Sequence, residues 1–265
     1  MRSLQYYAGR LRREKHPARA LAAHLLVRTP FCSLFTIHRG AYRIRFHPTA
    51  LSLACWVDAG SRHGDEDFLA RHLHPGDTMV DVGANIGTLT LAAAALVGEA
   101  GRVLAMEPHP RTFGYLQRNI AMNSFRNITA RNVALGAQTA TVAFSSSRLD
   151  DQNRVLDVGG IRVPVHTLDE LCADLDPIAL LKIDTEGYEL PVLQGAASVL
   201  DRVGVVYFEA WERHYQRYGY ATSDILALLS NHGFETFRLT PDRRLDPIPA
   251  DYRAEECVNL VALRA

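Results

Sequence analysis

A turn between a short apolar strand and an apolar helix has a small or polar residue at every second position. It reads Asp81-Val82-Gly83-Ala84-Asn85-Ile86-Gly87. A dinucleotide fingerprint, Gly-x-Gly-x-x-Gly, would start at Gly83 and place its other glycines at positions 85 and 88, which hold Asn85 and Thr88. Asn85 can replace a glycine in the tight turn because asparagine tolerates a left-handed backbone well. The turn therefore predicts a nucleoside ligand without a phosphate.

Carboxylates at the ends of two strands indicate what this ligand carries. Asp81 ends the first strand, and Glu107 ends the next strand about twenty residues after the turn. Asp81 is suited to bind an ammonium group, directly or through water, and Glu107 is placed to accept hydrogen bonds from both hydroxyls of a ribose. Two carboxylates would also repel a pyrophosphate. The candidate binding residues in this part of the chain are Asp81, Gly83, Ala84, Asn85, Gly87, Thr88 and Glu107.

A second group of acids lies at the ends of two later strands. Asp184 follows a buried strand, Glu186 comes two residues later, and Glu209 ends the next strand. Ligands bind at the carboxyl edge of such sheets, so Asp184 and Glu209 are predicted to lie side by side there. Carboxylates at this edge can accept a proton from a hydroxyl or hold Mg²⁺ together with water. Asp184 is the predicted base or metal ligand, and Glu209 supports it.

Each of these acids also has a purely structural interpretation. Glu186 and Glu189 could serve only to favour a helix N-terminus through its dipole, and Asp184 could be a helix cap. Lys182 lies inside an apolar strand, where an ion pair would make it structural.

The segment after Glu209 is rich in aromatic residues and contains a histidine. Its members are Trp211, His214, Tyr215, Tyr218 and Tyr220. On a loop above the strand ends they could form the wall of an acceptor pocket, with His214 as an alternative catalytic base. They could equally cap the domain surface.

Strands that alternate with helices must position these residues. Strands are predicted at 78–82, 102–106, 128–135, 139–144, 161–165, 179–183, 204–208, 234–239 and 257–263, and helices at 88–97, from 110, after 190 and from 225 to 233. This alternation predicts an α/β domain with a mostly parallel, doubly wound, Rossmann-like sheet of about seven strands. We assign it to residues 61–265.

Residues 1–60 form a predicted N-terminal extension. It begins with a basic helix interrupted near Pro17 and continues with a hairpin that turns at Arg39-Gly40. We interpret this helix mainly as a solvated helix that closes one end of the domain. Its apolar positions could instead dock on the domain, on a second subunit or on a membrane surface.

Composition limits the environment and partners of the chain. Twenty-nine basic residues balance twenty-nine acidic ones, which argues against a nucleic-acid partner. We find no apolar run long enough to cross a bilayer and no secretory signal. The four cysteines form no Cys-x-x-Cys pair, so neither zinc nor a disulfide scaffold is expected. These features predict a cytoplasmic protein and leave homo-oligomerisation open.

Several stretches resemble the FkbM family of methyltransferases and follow the order of that family from about residue 65 to 240. They are 75–77 leading into 81–88, Glu107-Pro108, Asn132-Val133-Ala134-Leu135-Gly136, Leu181-Lys182-Ile183-Asp184-Thr185-Glu186-Gly187-Tyr188-Glu189, and Val192-Leu193-Gln194-Gly195-Ala196. The segment from 181 to 189 is the most specific of these. The resemblance adds Pro108, Asn132 and Val133 to the candidate cofactor-binding residues.

The resemblance implies a class I fold and methyl transfer from S-adenosylmethionine, usually to a hydroxyl of a small molecule or sugar. Asp184 and Glu209 are the candidate ligands if Mg²⁺ assists. One alternative is methyl transfer to nitrogen on a small molecule or peptide, for which a carboxylate base is dispensable. The other is a catalytically silent nucleotide-binding module, which would be favoured if Asp184 and Glu209 pointed away from the methyl group.

Overall fold

The N-terminal elements share one hydrophobic core with a face of the central sheet. The computed structural model describes residues 17–27, 29–145, 154–156, 159–175, 177–240 and 242–265. Its first elements are α1 (Pro17–Leu26), a 3-10 turn (Pro30–Leu34), strands β1 (Thr36–Arg39) and β2 (Tyr42–Arg45), and helices α2 (Ala50–Val57) and α3 (His63–His72). Ile44 and Phe68 from these elements pack in the same core cluster as Met79 and Leu180 from the sheet.

The N-terminal predictions are partly confirmed. A helix does begin at Pro17, and β1 and β2 do pair as an antiparallel hairpin. The predicted helical character of residues 1–16 lies outside the described residues. Helices α2 and α3 were not predicted. The division at residue 60 stays a prediction.

Helix α1 buries small alanine side chains and exposes larger leucine side chains. Ala20 and Ala23 are buried, whereas Leu21 and Leu25 are exposed. Among the described residues, no helix has the length and apolar composition needed to cross a membrane. Docking of α1 on a second subunit or on a membrane surface stays a prediction.

The central sheet confirms the predicted Rossmann-like class. Its eight strands are β3 (Thr78–Val82), β4 (Arg102–Met106), β5 (Ile128–Arg131), β10 (Ile178–Ile183), β11 (Val203–Ala210), β12 (Phe234–Leu239), β13 (Leu245–Pro247) and β14 (Val258–Arg264), in the order β13-β12-β14-β11-β10-β3-β4-β5. The pairings from β11 to β5 are parallel, and those of β14 with β11 and β12 are antiparallel. The predicted seven strands are present, and the short edge strand β13 is added.

Helices connect these strands. They are α4 (Thr88–Val97), α5 (Pro110–Ala121), α6 (Leu168–Leu171), α7 (Glu189–Gln194), α8 (Glu212–Tyr215) and α9 (Thr222–Asn231). Alternate strand residues face two different cores, because Met79 and Leu180 pack on one side while Val80 and Leu181 pack on the other. The sheet is thus covered on both faces, as predicted.

A second, smaller sheet corrects the sequence prediction. It contains β6 (Ala134–Leu135), β7 (Ala140–Phe144), β8 (Val155–Leu156) and β9 (Ile161–His166), in the order β6-β9-β7-β8. The single strand predicted over 128–135 is wrong, because the chain leaves the central sheet after Arg131 and pairs with β9 from Ala134. The strands predicted at 139–144 and 161–165 exist, but they belong to this second sheet.

Candidate active site

The glycine turn after β3 leads directly into α4 and lies at the centre of the sheet. Asn85 has a φ of 51°, the left-handed conformation that the sequence predicted, and Gly83 has a φ of 75°. A Cβ on Gly83 would overlap the backbone carbonyl of Asp184. Only glycine can therefore bring the turn this close to the end of β10.

Glu107 is fixed beside this turn by backbone hydrogen bonds. The backbone N–H of Asn85 donates to Glu107 Oε2 over 2.9 Å, and that of His109 donates to Glu107 Oε1 over 2.9 Å. The residue is only 7% exposed, yet it lines the cleft above the turn. Each oxygen has a second lone pair, so the carboxylate can still accept hydrogen bonds from a ligand. We call Gly83, Asn85 and Glu107 the turn end of the cleft.

Asp81 is buried below the turn against a buried cation. Lys182 Nζ lies 3.1 Å from Asp81 Oδ1, and the Thr90 hydroxyl donates to Asp81 Oδ2 over 2.6 Å. Lys182 also donates to the Gly83 carbonyl over 2.7 Å. Burial alone would lower the pKa of Lys182, but Asp81 and Asp184 outweigh it and hold that pKa above its ordinary value. Lys182 has the structural ion pair that the sequence suggested, and an ammonium ligand at Asp81 would share its carboxylate.

The other predicted cofactor residues divide into lining and supporting positions. Ala84, Thr88, Pro108 and Val133 line the cleft. Two others support the lining from behind. Gly87 packs against Leu116, which a Cβ would approach to 2.5 Å. The Asn132 amide donates to the carbonyls of Glu107 and Pro108 over 2.8 and 2.9 Å.

The cleft also has walls that the sequence did not predict. Its volume is about 400 Å³, within the range of small-molecule sites. Ala50, Leu51 and Ala54 of α2 contribute one wall, and Phe144 and Val155 of the second sheet contribute to another. These residues are distant in sequence from the turn, and no local motif marks them.

Arg62 is the cation in the cleft that sequence reasoning missed. It precedes α3 with a φ of 70°, and its Nε lies 3.1 Å from Asp65 Oδ2. Burial would lower its pKa, but Asp65 and Asp184 together raise it. Nothing in the local sequence distinguishes this arginine from the many surface arginines.

Three predicted acids line the other end of the cleft. They are Asp184, Glu186 and Glu209, and we call them the acidic end. Asp184 Oδ2 lies 3.7 Å from Lys182 Nζ. Burial and repulsion by Asp184 raise the pKa of Glu209 to about 8, which indicates that Asp184 and Glu209 interact as expected for neighbouring strand ends.

His214 is the fourth predicted catalytic residue, and it lies beside the acidic end. Its Nδ1 is 3.5 Å from Glu186 Oε2, and its side chain is 9% exposed. Burial lowers the pKa of His214 to about 4. A histidine with this pKa is a weak base at neutral pH.

Tyrosines of the aromatic segment donate hydrogen bonds to the backbone at and near the acidic end. The Tyr215 hydroxyl donates to the backbone carbonyl of Glu209 over 2.9 Å, and the Tyr220 hydroxyl donates to that of Gly187 over 2.6 Å. No residue from 211 to 220, all of them described, is among those that line the cleft. Of the two interpretations of this segment, the structure favours the structural one.

Glu186 and Glu189 have different environments, although the sequence offered both the same alternatives. Glu189 is turned inward, where it accepts hydrogen bonds from the backbone and hydroxyl of Thr185 over 2.7 and 2.8 Å. Burial raises the pKa of Glu189 to about 7. Glu189 therefore orders the loop, whereas Glu186 is at the cleft.

The sheet order and the site together define a class of protein. The turn lies where β3 has β4 on one side and β10 on the other, which is the topological switch point at which open α/β sheets bind ligands. The order of these strands, the antiparallel β14 and the carboxylate after β4 define a class I, Rossmann-like methyltransferase domain. A family model described as the methyltransferase FkbM domain matches residues 81–236. The chain belongs to the FkbM methyltransferase family.

Individual proteins are similar to parts of this chain. Hexuronic acid methyltransferase AglP of Haloferax volcanii is 29% identical over 153 residues, covering 55% of this chain and 62% of AglP. Methyltransferase 1 of Beauveria bassiana is 28% identical over 148 residues, covering 46% of this chain and 59% of the relative. Both matches span less than two thirds of the relative. The solved structure of methyltransferase FkbM from Methylobacillus flagellatus has a TM-score of 0.46 at 16% identity, covering 93% of this chain and 59% of that one.

Proposed function

We propose that this chain transfers the methyl group of S-adenosylmethionine to a hydroxyl group of a sugar or of another small molecule. The observation that carries the proposal is one cleft with a backbone-held carboxylate, Glu107, at the turn end and Asp184 at the acidic end. These two ends match the two needs of the reaction, a nucleoside site and a proton acceptor.

The turn end fits the nucleoside of the cofactor. Glu107 is anchored through both oxygens by backbone N–H groups, so its carboxylate is oriented before any ligand binds. A carboxylate in this position can bond both ribose hydroxyls. Ala84 and Val133 provide apolar surface nearby for the rest of the nucleoside.

The acidic end fits the proton transfer that the reaction requires. S-adenosylmethionine supplies, when bound, a methyl group on a positively charged sulfur. The acceptor oxygen forms the new C–O bond with its lone pair while the C–S bond breaks, and the sulfur keeps that electron pair. The hydroxyl proton passes to a base, for which we propose Asp184, with Glu209 beside it. His214 is the weaker alternative, because Asp184 lines the cleft and His214 does not.

A sugar is the acceptor class that we favour. The support comes from AglP, whose name describes a hexuronic acid methyltransferase. Sugars present several hydroxyls that polar and charged side chains such as Arg62 and Glu186 can bind.

A cytoplasmic location is part of the proposal. All four cysteines are free, three of them buried and Cys257 exposed. Free thiols persist in a reducing compartment, which supports this location.

The direct test is methyl transfer from isotopically labelled S-adenosylmethionine to a panel of acceptors. The panel contains a hexuronic acid glycoside, a neutral hexose glycoside, an amino sugar and a short peptide, and mass spectrometry locates the methyl group. We expect O-methylation of a sugar, which Asp184→Asn lowers by about 10²- to 10⁴-fold.

Three outcomes would contradict the proposal in different ways. Methylation of an amine that survives in Asp184→Asn would favour the nitrogen alternative. Binding of S-adenosylhomocysteine without transfer to any member of the panel would favour the silent module. A folded protein that does not bind this product would remove the cofactor assignment.

A further inference from the structure

Three side chains at the acidic end bring potential metal ligands together. Glu186, Glu209 and His214 each place an oxygen or a ring nitrogen within 4.8 Å of the other two. Ligand atoms around one cation lie about 3 Å apart when each metal–ligand bond is about 2.1 Å. Small side-chain rotations would close the difference, because His214 Nδ1 and Glu186 Oε2 are already 3.5 Å apart.

The imidazole in this group is part of the protein interior. Its side chain is 9% exposed, and the ring lies against Trp211 with 4.4 Å between the ring centroids. A buried imidazole that faces a carboxylate is held in place before a ligand arrives. This distinguishes the group from a cluster of surface acids.

The backbone fixes the spacing of the three residues. Gly187 has a φ of 105°, and a Cβ there would lie 2.9 Å from the Cβ of His214, so the loop that carries Glu186 packs directly on His214. On the other side, the Tyr215 hydroxyl holds the backbone of Glu209. Two independent contacts thus tie both glutamates to α8.

Both acids and arginines surround this group, because the charges of Arg154, Arg213 and Arg217 act on His214. Asp184, Glu186 and Glu209 are three carboxylates at one edge of the sheet. Among the described residues that line the same cleft, the two cations have carboxylate partners, since Lys182 pairs with Asp81 and Arg62 with Asp65. A dication would reduce the repulsion among the three acids.

We infer that Glu186, Glu209 and His214 bind one divalent cation of the Mn²⁺ class at the acidic end of the cleft. A mixed set of imidazole and carboxylate ligands suits Mn²⁺ or Fe²⁺, whereas Mg²⁺ is usually held by oxygen ligands alone. The site differs from the pair Asp184 and Glu209 that the sequence suggested, and it leaves Asp184 free to accept a proton. The role of the cation, which is to bind the acceptor hydroxyl in an open position, rests on the proposed function.

The test is a titration of the chelator-treated full chain with Mn²⁺. The electron paramagnetic resonance signal of the free ion measures the concentration of unbound Mn²⁺ at each step. We expect saturable binding of one ion per chain. Glu209→Gln and His214→Ala should each weaken this binding by more than about tenfold. The same amount of Mg²⁺ should displace little of the Mn²⁺.

A second histidine–glutamate pair provides the matched control. His166 Nδ1 lies 3.2 Å from Glu170 Oε2 at the surface, and neither residue is in the group of three. His166→Ala and Glu170→Gln should leave the Mn²⁺ affinity unchanged. A loss in these controls as large as in His214→Ala would overturn the inference, as would the absence of saturable binding in the wild type.

Binding of S-adenosylhomocysteine to each variant separates misfolding from the loss of a ligand. If Glu209→Gln does not fold, His214→Ala and Glu186→Gln carry the test. Saturable Mn²⁺ binding in a protein that does not bind S-adenosylhomocysteine would contradict the proposed function and support the metal site. Binding of S-adenosylhomocysteine without saturable Mn²⁺ binding would overturn the metal site and leave the proposed function intact.

Discussion

The two ends of the cleft are built in opposite ways. At the turn end, backbone N–H groups hold the carboxylate of Glu107, and close packing leaves Gly83 no room for a side chain. At the acidic end, the pKa of Glu209 is raised to about 8 because burial and Asp184 both disfavour its charge. The turn end is held in place by backbone contacts, whereas the charged form of Glu209 at the acidic end is disfavoured, and a proton, a ligand or a cation would reduce its repulsion from Asp184.

This difference matches what each end has to recognise. A cofactor presents the same groups in every catalytic cycle, so a rigid site set by backbone geometry suits it. The acceptor side needs charge near a reacting hydroxyl, and side chains supply it. Lys182 connects the two ends, since it contacts Asp81 and the Gly83 carbonyl on one side and Asp184 on the other.

The largest expected effect is a loss of stability when the ammonium group of Lys182 is removed. Lys182→Met would leave Asp81 as a buried charge without a cation, which we expect to lower the free energy of unfolding by about 3–5 kcal/mol. Urea unfolding measures the change. The double variant Asp81→Asn/Lys182→Met is the control and should recover part of the loss. A single variant as stable as the wild type would show that the ion pair with Asp81 does not contribute to stability.

A smaller effect is expected at the support of the turn end. Asn132→Ala removes two hydrogen bonds, to the carbonyls of Glu107 and Pro108, and leaves the carboxylate of Glu107 intact. We expect the affinity for S-adenosylhomocysteine to fall by about 1–2 kcal/mol, roughly five- to thirtyfold. Calorimetric titration measures it. An unchanged affinity would mean that the two backbone bonds to the carboxylate suffice.

A further effect concerns pH and Glu189, the buried acid that orders the loop beside the acidic end. The raised pKa of Glu189, about 7, means that the folded chain keeps a proton that the unfolded chain releases above the ordinary carboxyl value. The stabilising contribution of that proton is fully present below the ordinary value and is lost as the pH rises through 7. Glu189→Gln should therefore match the wild type at pH 4 and be the more stable by up to about 3 kcal/mol at pH 8.

Thermal melting from pH 4 to 8 tests this expectation. Glu170→Gln is the matched control, because Glu170 is an exposed carboxylate outside the cleft. Parallel stability curves for the wild type and Glu189→Gln would contradict the raised pKa.

The turn end could be predicted from the sequence because its signals are local. A strand, a turn and a helix follow one another within residues 78–97, and the left-handed Asn85 follows from the residue type. The place of Glu107 follows from the end of the next strand. The metal-ligand group did not follow, because only the tertiary packing of Gly187 on His214 brings Glu186 and His214 together.

Other parts of the fold could not be predicted from the sequence, for related reasons. Hydrophobic alternation predicts a strand but not the sheet that the strand joins, so the strands predicted at 139–144 and 161–165 could not be assigned to a second sheet. Helix α2, which contributes Ala50 and Leu51 to the cleft, has an apolar composition that short strands share. Arg62 belongs to no pattern at all.

Calorimetric titration with S-adenosylhomocysteine tests the central claim, that the cofactor is bound through Glu107 at the turn end of the cleft, most directly. The experiment compares the wild type with Glu107→Ala and Glu209→Gln. We predict tight wild-type binding, a loss of about 2–4 kcal/mol in Glu107→Ala, or tens- to several-hundred-fold, and a change of less than about threefold in Glu209→Gln. Equal losses in both variants, or no binding by the folded wild type, would contradict the account.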